Sequence, residues 1–315
     1  IPRDDAPYGL VLTGRDRIPI LARMVIPAAT VPVHEPAPVA LTAADGVALA
    51  AARCEGRGPG VLLAHGFGQT RQAWLQTQRR LAGAGHASLA WDVRGHGQSG
   101  RNPPDSHYSG EQFVADVGTA AAALGPAPVL VGASMGGLTG LMAQASGRLF
   151  SAMVLVDITP RWEAAGVERI LGFMNAHPEG FDSFEHAAEQ IAAYLPHRRG
   201  KKTPAQLAHL LNARPDGRLA WHWDPRLLSE FIPSTDQLQH LIEDACRQLD
   251  IPVLLVSGGR SDLVTSQTVE HFLELAPHAR HVQLPEATHM VAGDDNDAFT
   301  DTLLHFLNDH FMHDH

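Results

Sequence analysis

The chain has 315 residues, 44% hydrophobic and 18% charged, which is enough apolar material for a sizeable core and excludes a wholly disordered chain. Its 24 Lys and Arg against 34 Asp and Glu give a formal charge of −10. An acidic chain without zinc-finger spacing is not expected to bind nucleic acid, and no apolar run is long enough to span a membrane.

At roughly 150 residues per domain the length would allow two domains, but one α/β unit carrying an insertion fits equally well. No Lys/Arg start followed by an apolar block opens the chain, so no signal peptide is expected. With two cysteines, Cys54 and Cys246, a cytoplasmic location follows as the expectation. Each cysteine sits beside an apolar segment and reads as a buried free thiol rather than half of a bridge.

Residues 1–37 are Pro-rich and lack a period, and read as an irregular N-terminal extension. Residues 39–42 and 47–53 flank Asp45-Gly46 and predict a hairpin. The apolar run 60–64 is too short and too continuous for a half-exposed strand and predicts a buried parallel one, ending at His65-Gly66. A helix is predicted at 71–83, a strand at 86–91, a helix at 111–124 and a strand at 127–132. A Gly- and Ala-rich helix at 135–146 and a strand at 151–156 follow. This alternation is the pattern of βαβ units around a parallel sheet.

The alternation pauses after Asp157-Ile158-Thr159-Pro160. Residues 161–234 read as an all-helical insertion, with pieces at 163–175, 181–194, 204–211 and 225–231. The basic cluster Arg198, Arg199, Lys201 and Lys202 in it reads as a solvated loop. The sheet pattern resumes with helices at 235–248, 266–275 and 297–308 and strands at 252–257 and 280–284. The organisation expected is an extension (1–37), a core (38–160 and 235–315) and an insertion (161–234). The terminal His305, His310, His313 and His315 read as a frayed end rather than as metal ligands.

Gly132-Ala133-Ser134-Met135-Gly136 lies between a predicted buried strand and a predicted helix. In that context Gly-x-Ser-x-Gly is a tight strand-to-helix turn that lifts a serine hydroxyl out of the sheet, with Gly132 and Gly136 making room for it. Ser134 is therefore the nucleophile candidate. The Met135 amide opens the following helix and is a candidate oxyanion donor, and the Phe67 amide in His65-Gly66-Phe67-Gly68 is the second. His65 is expected to hold this loop rather than to act as a base. A serine hydroxyl needs a base, and the base needs an orienting carboxylate. His289 and Asp262 each follow a predicted strand and would reach the carboxyl edge of the sheet. The rival acid is Asp157, which also ends a strand, and Glu286 comes too early in its loop.

Together these residues resemble the α/β-hydrolase superfamily, over about residues 39–157 and 235–309, in its serine-nucleophile branch with a helical cap. Asp92-Val93-Arg94-Gly95-His96-Gly97-Gln98-Ser99 is similar to the family's Asp-x-Arg-Gly-x-Gly-x-Ser loop. Thr288-His289-Met290 resembles its Gly-His-x, with threonine in place of glycine. The resemblance implies an α/β fold with a mostly parallel central sheet, helices on both faces and an inserted helical cap. It maps the triad onto Ser134, Asp262 and His289, and the oxyanion amides onto Phe67 and Met135. Serine at the elbow suits acyl transfer rather than displacement at an sp³ carbon.

The expected activity is hydrolysis of a carboxylic ester or lactone through an acyl-enzyme, with no metal and no organic cofactor. Hydrolytic C–C cleavage of a β-diketone-like substrate, cofactor-free perhydrolysis and non-catalytic ligand binding are the alternatives. Pocket candidates for a bulky apolar or aromatic small molecule are Phe67, Trp162, Met174, Phe184, Trp221, Trp223 and Met290. Trp221-His222-Trp223 alternates, so both indoles would point one way. Monomer and homodimer both stay open.

Overall fold

The computed structural model describes residues 34–194, 203–230, 235–291 and 296–311. The chain divides into units 1–32 and 33–315, and all described residues fall in the second. The expected extension and the basic cluster at 198–202 therefore lie almost wholly outside the described residues.

Strands β1 (Ala37–Thr42) and β2 (Ala48–Cys54) form the expected antiparallel hairpin, turning at Gly46, whose φ is +87°. Strands β3 (Gly58–Ala64), β4 (His86–Trp91), β5 (Val129–Ala133), β6 (Ala152–Val156), β9 (Val253–Gly258) and β10 (Arg280–Leu284) run parallel to one another. The eight-stranded sheet has the order β1-β2-β4-β3-β5-β6-β9-β10, with β2 antiparallel to β4.

Alternate side chains along the central strands enter two different cores, because successive Cβ atoms point to opposite faces. Leu62, Leu130, Met153 and Leu155 join one cluster with α2 (Gly110–Ala122), α3 (Met135–Gly147), α8 (Thr235–Arg247) and α9 (Ser266–Leu275). Val61, Leu63, Val131 and Val154 join the other with α1 (Leu75–Gly83) and α10 (Asn296–Phe311). Both faces are thus covered, which is why these strands read as continuous apolar runs. Helix α10 reaches Phe311, so His305 and His310 are helical rather than frayed. Cys54 and Cys246 are free and buried, and burial pushes the Cys246 thiol up to about 12. Among the described residues no helix is long and apolar enough to cross a membrane.

Between β6 and α8 lie α4 (Ala164–Asn175), α5 (Phe184–Tyr194), α6 (Pro204–Leu207) and α7 (Arg226–Glu230). The insertion is not all helical. Strands β7 (Leu211–Ala213) and β8 (Leu219–Trp221) pair antiparallel across Pro215-Asp216-Gly217. Arg214 N–H donates to the Arg218 carbonyl at 2.8 Å, and Gly217 has φ +83°, the conformation glycine takes without a Cβ penalty. The insertion has a small apolar cluster of its own around Phe181, Ile191 and Leu210.

Candidate active site

Ser134 stands between β5 and α3 with φ +47° and ψ −117°, a region a side chain occupies only when its surroundings force it. Those surroundings are glycine. A Cβ on Gly132 would lie 2.6 Å from the Gly137 Cα, and one on Gly136 would lie 2.5 Å from the Ala64 carbonyl oxygen. Ser134 N–H donates to the Val156 carbonyl at 3.1 Å, so the turn is fastened to the end of the neighbouring strand. Met135 is the first residue of α3, and helix geometry gives its N–H no intrahelical acceptor.

Register brings Ser134 and Asp157 to the same rim. Ala133 pairs with Val156, so Ser134 on β5 and Asp157 on β6 leave adjacent parallel strands side by side. His289 Nδ1 lies 2.7 Å from Asp157 Oδ2. Asp157 is fully buried and has φ +49°. It also accepts hydrogen bonds from Gly258 N–H at 2.7 Å and from the Ser261 hydroxyl at 2.5 Å. A carboxylate only accepts, so Nδ1 of His289 donates this bond, and a neutral ring in that tautomer has its lone pair on Nε2.

The carboxylate beside His289 is thus Asp157 and not Asp262. Asp262 is taken by Arg169 of α4 in an ion pair, and Arg169 lies over the Tyr194 ring, 5.2 Å from its centroid. The loop expected to supply the acid instead supplies two donors to Asp157. Glu286 is exposed and pairs with Arg260.

Gln69 N–H donates to the Gly66 carbonyl at 3.1 Å and closes a turn with Phe67 and Gly68 in its middle. Gly68 has φ +72°, as the third position of a type II turn requires. A Cβ on Gly66 would lie 3.3 Å from Ser134 Cβ, which sets this turn against the elbow. His65 is buried. Val93 N–H donates to its Nε2 at 2.9 Å, so Nδ1 carries the proton and donates to the Gly66 carbonyl at 2.8 Å. The ring is therefore a strut for the loop, and burial holds its pKa below the usual range.

The end of the hairpin packs on the same turn. Gly97 N–H donates to His222 Nδ1 at 2.7 Å, and His222 Nε2 lies 3.2 Å from the Gly68 carbonyl oxygen. Burial pushes the His222 imidazole down to about 4. His96 packs between His65 and His222 with centroid distances of 5.3 and 5.8 Å, and burial lowers its pKa as well. Three imidazoles thus adjoin one another, and His96 meets the Phe67 ring edge-on at 5.1 Å. No motif marks His222 in the sequence, although its place between two tryptophans on a strand-like segment marks a side chain turned the opposite way.

Of the pocket candidates, Met174 and Trp223 cover Gly68: a Cβ there would meet Met174 Cε at 2.8 Å and the Trp223 ring at 3.2 Å. Phe67 lies 5.8 Å from Trp223, and Trp221 stacks on Trp223 at 4.7 Å and 15°. Met290 Sδ is 3.9 Å from Gln69 Nε2, on the same turn. Trp162 packs on the core cluster of the α3 face. Phe184 packs instead against the insertion's own cluster, which Trp221 also touches. Among the described residues no group of histidine, cysteine or carboxylate side chains could hold a metal ion.

The same chain pattern occurs in known proteins. The esterase Rv0045c of Mycobacterium tuberculosis is 31% identical over 293 residues, covering 90% of this chain and 93% of that one. A crystal structure of that esterase superposes with a TM-score of 0.69 at 27% identity, covering 88% of this chain and 93% of that one. The 3-hydroxybutyrate-oligomer hydrolase of Cupriavidus necator is 30% identical over 246 residues, 73% of this chain and 83% of that protein. The fold is also that of E-2-(acetamidomethylene)succinate hydrolase, with a TM-score of 0.74 at 22% identity over 87% of this chain and 99% of that one. The alpha/beta hydrolase family profile matches residues 61–302, from the first buried parallel strand through Ser134 and His289 into the last helix. With that match and its relatives, the chain belongs to the alpha/beta hydrolase family.

Proposed function

We propose that this hydrolase cleaves carboxylic esters or lactones of uncharged, apolar acyl groups through an acyl-enzyme on Ser134. The observation that carries this reading is the His289–Asp157 hydrogen bond of 2.7 Å, formed where register sets Asp157 beside the Ser134 elbow. Likeness to an esterase and to a 3-hydroxybutyrate-oligomer hydrolase supports the bond type.

His289 Nε2 takes the proton of Ser134 as Oγ attacks the carbonyl carbon. Asp157, held by Gly258 N–H and Ser261, fixes the ring's tautomer and offsets the charge that the imidazolium acquires. The amides of Phe67 and Met135 receive the oxyanion, each donor being worth roughly 3 kcal/mol in the transition state. The C–O bond breaks, the alcohol leaves with the proton from His289, and water repeats the sequence to release the acid. Met174, Trp223 and Met290 lie on the turn that carries Phe67 and give it an apolar cover, which Trp221 extends by stacking on Trp223. Arg169 is already neutralised by Asp262, so this cation offers little to an acidic substrate.

The test is product analysis on p-nitrophenyl esters of increasing acyl length, simple lactones and a β-diketone, with the wild type and Ser134→Ala. Acid release from esters or lactones that disappears in Ser134→Ala is expected. Hydrolysis that survives in that variant, or turnover confined to the diketone, would overturn the reading.

A further inference from the structure

We propose that His222, carried by the inserted cap, is a positioning residue for the oxyanion-binding amide of Phe67, acting through a chain of hydrogen-bonded peptide groups. The proposal rests on the serine hydrolase reading above and adds to it a residue that touches neither the triad nor the carbonyl.

The direction of each bond is fixed by its neighbours. Gly97 N–H donates to His222 Nδ1 at 2.7 Å, so that nitrogen carries no proton. The neutral ring must then carry it on Nε2, which donates to the Gly68 carbonyl at 3.2 Å. That carbonyl belongs to the Gly68–Gln69 peptide, whose N–H donates to the Gly66 carbonyl at 3.1 Å. The Gly66 carbonyl in turn belongs to the peptide whose N–H is that of Phe67. In a trans peptide the C=O and N–H point in opposite directions. A bond accepted at each oxygen therefore aims and polarises the N–H on the other side, and such chains strengthen by roughly 10–30% per bond. The relay runs from His222 through Gly68, Gln69 and Gly66 to the Phe67 amide. His65 reinforces it at the Gly66 oxygen, from the body of the protein.

Only a seated cap completes this chain. The segment after β8 is fastened by Asp224 N–H on the Gly95 carbonyl at 2.8 Å and by the Tyr108 hydroxyl on the Asp224 carboxylate at 2.9 Å. Met174 and Trp223 of the cap also close on Gly68. Cap docking and oxyanion-hole geometry are therefore one event: a displaced hairpin end releases the Gly68 carbonyl and the turn that carries Phe67.

Two substitutions separate this role from simple attachment of the cap. Asparagine reaches the Nδ1 position and keeps the bond to Gly97, but loses the donor to Gly68. Glutamine reaches the Nε2 position and keeps the donor, but loses Gly97. The readouts are kcat and KM on p-nitrophenyl butyrate, inhibition by a trifluoromethyl ketone that forms a tetrahedral serine adduct, and exchange of the Phe67 amide by NMR. His222→Asn is expected to lower kcat and ketone affinity together by about tenfold with KM within about twofold, a fraction of what full loss of an oxyanion donor costs. His222→Gln is expected to keep kcat within about threefold of wild type and slower Phe67 exchange than His222→Asn. Equal losses in the two variants, a larger loss in glutamine, or a change in KM alone would overturn the proposal. A wild-type protein that neither hydrolyses the ester nor binds the ketone would overturn the hydrolase reading instead. The amide exchange would still decide whether the relay exists.

Discussion

Exchanging Asp157 for asparagine, with Asp262→Asn beside it, tests which carboxylate serves His289. Asp157 is fully buried and receives three donors, Gly258 N–H, the Ser261 hydroxyl and His289 Nδ1. An amide has one accepting oxygen and two donor hydrogens, so it cannot satisfy three donors and presents an N–H to at least one of them. If that one is His289, the ring turns over its tautomer and its proton sits on Nε2, where the lone pair is needed. Loss of the correct tautomer in a serine triad costs about 10⁴ in kcat, or roughly 5.5 kcal/mol at 1.36 kcal/mol per decade. Asp262 pairs with a half-exposed Arg169 and is itself 30% exposed, so losing the pair should cost no more than about 1 kcal/mol of stability. It should change kcat by less than about threefold. The assay is kcat/KM on p-nitrophenyl butyrate between pH 7 and 8, with circular dichroism to show that both variants are folded. A folded Asp157→Asn within tenfold of wild type, with Asp262→Asn down a thousandfold, would refute the assignment.

Gly136→Ala would drive a Cβ to 2.5 Å from the Ala64 carbonyl oxygen, a backbone atom that cannot step aside, so a stability loss of about 2 kcal/mol or more is expected by thermal denaturation. An unchanged Tm would contradict the elbow geometry. Met174→Ala removes part of the apolar cover over Gly68; at about 0.8 kcal/mol per buried methylene, KM for a long-chain ester should rise roughly fivefold, with acetate esters little affected. Equal changes for both chain lengths would place Met174 outside the acyl site. Acid stability follows from the imidazoles. The His222 pKa is lowered in the folded protein to about 4, so between that value and its ordinary one the unfolded chain binds more protons and stability falls as pH falls. From pH 7.5 to 4.5 this single group should remove about 2 to 3 kcal/mol, with His65 and His96 acting in the same direction. A Tm that is flat or rising over that window would contradict their burial as neutral rings.

The body was legible because its strands are buried on both faces. Continuous runs such as Val61-Leu62-Leu63-Ala64 have no other ready use, and the elbow glycines announce a steric need that the fold repeats. The short hairpin was not legible by periodicity. Its strands are three residues each, and only the Arg214-Pro215-Asp216-Gly217-Arg218 turn signals it. The alternation of Trp221 and Trp223 did carry information, since the two indoles stack. The carboxylate partner of His289 was ambiguous for a physical reason. Asp157 and Asp262 both follow strands that end at the same rim, and local sequence cannot say which one the His289 ring will lean toward. The deciding contacts are long-range: Arg169 lies 93 positions from Asp262, and His289 lies 132 positions from Asp157. His222 escaped notice because its bonds go to backbone groups of Gly68 and Gly97, and backbone partners leave no mark in composition.

The most direct measurement is peptide mapping by mass spectrometry after the protein meets a p-nitrophenyl alkylphosphonate. A working site should expel one equivalent of nitrophenol and leave the phosphonyl group on the peptide that contains Ser134, much more slowly once His289 is alanine. Stable, folded protein that gains no mass, or gains it at another side chain, would contradict the claim that this serine is the group that attacks.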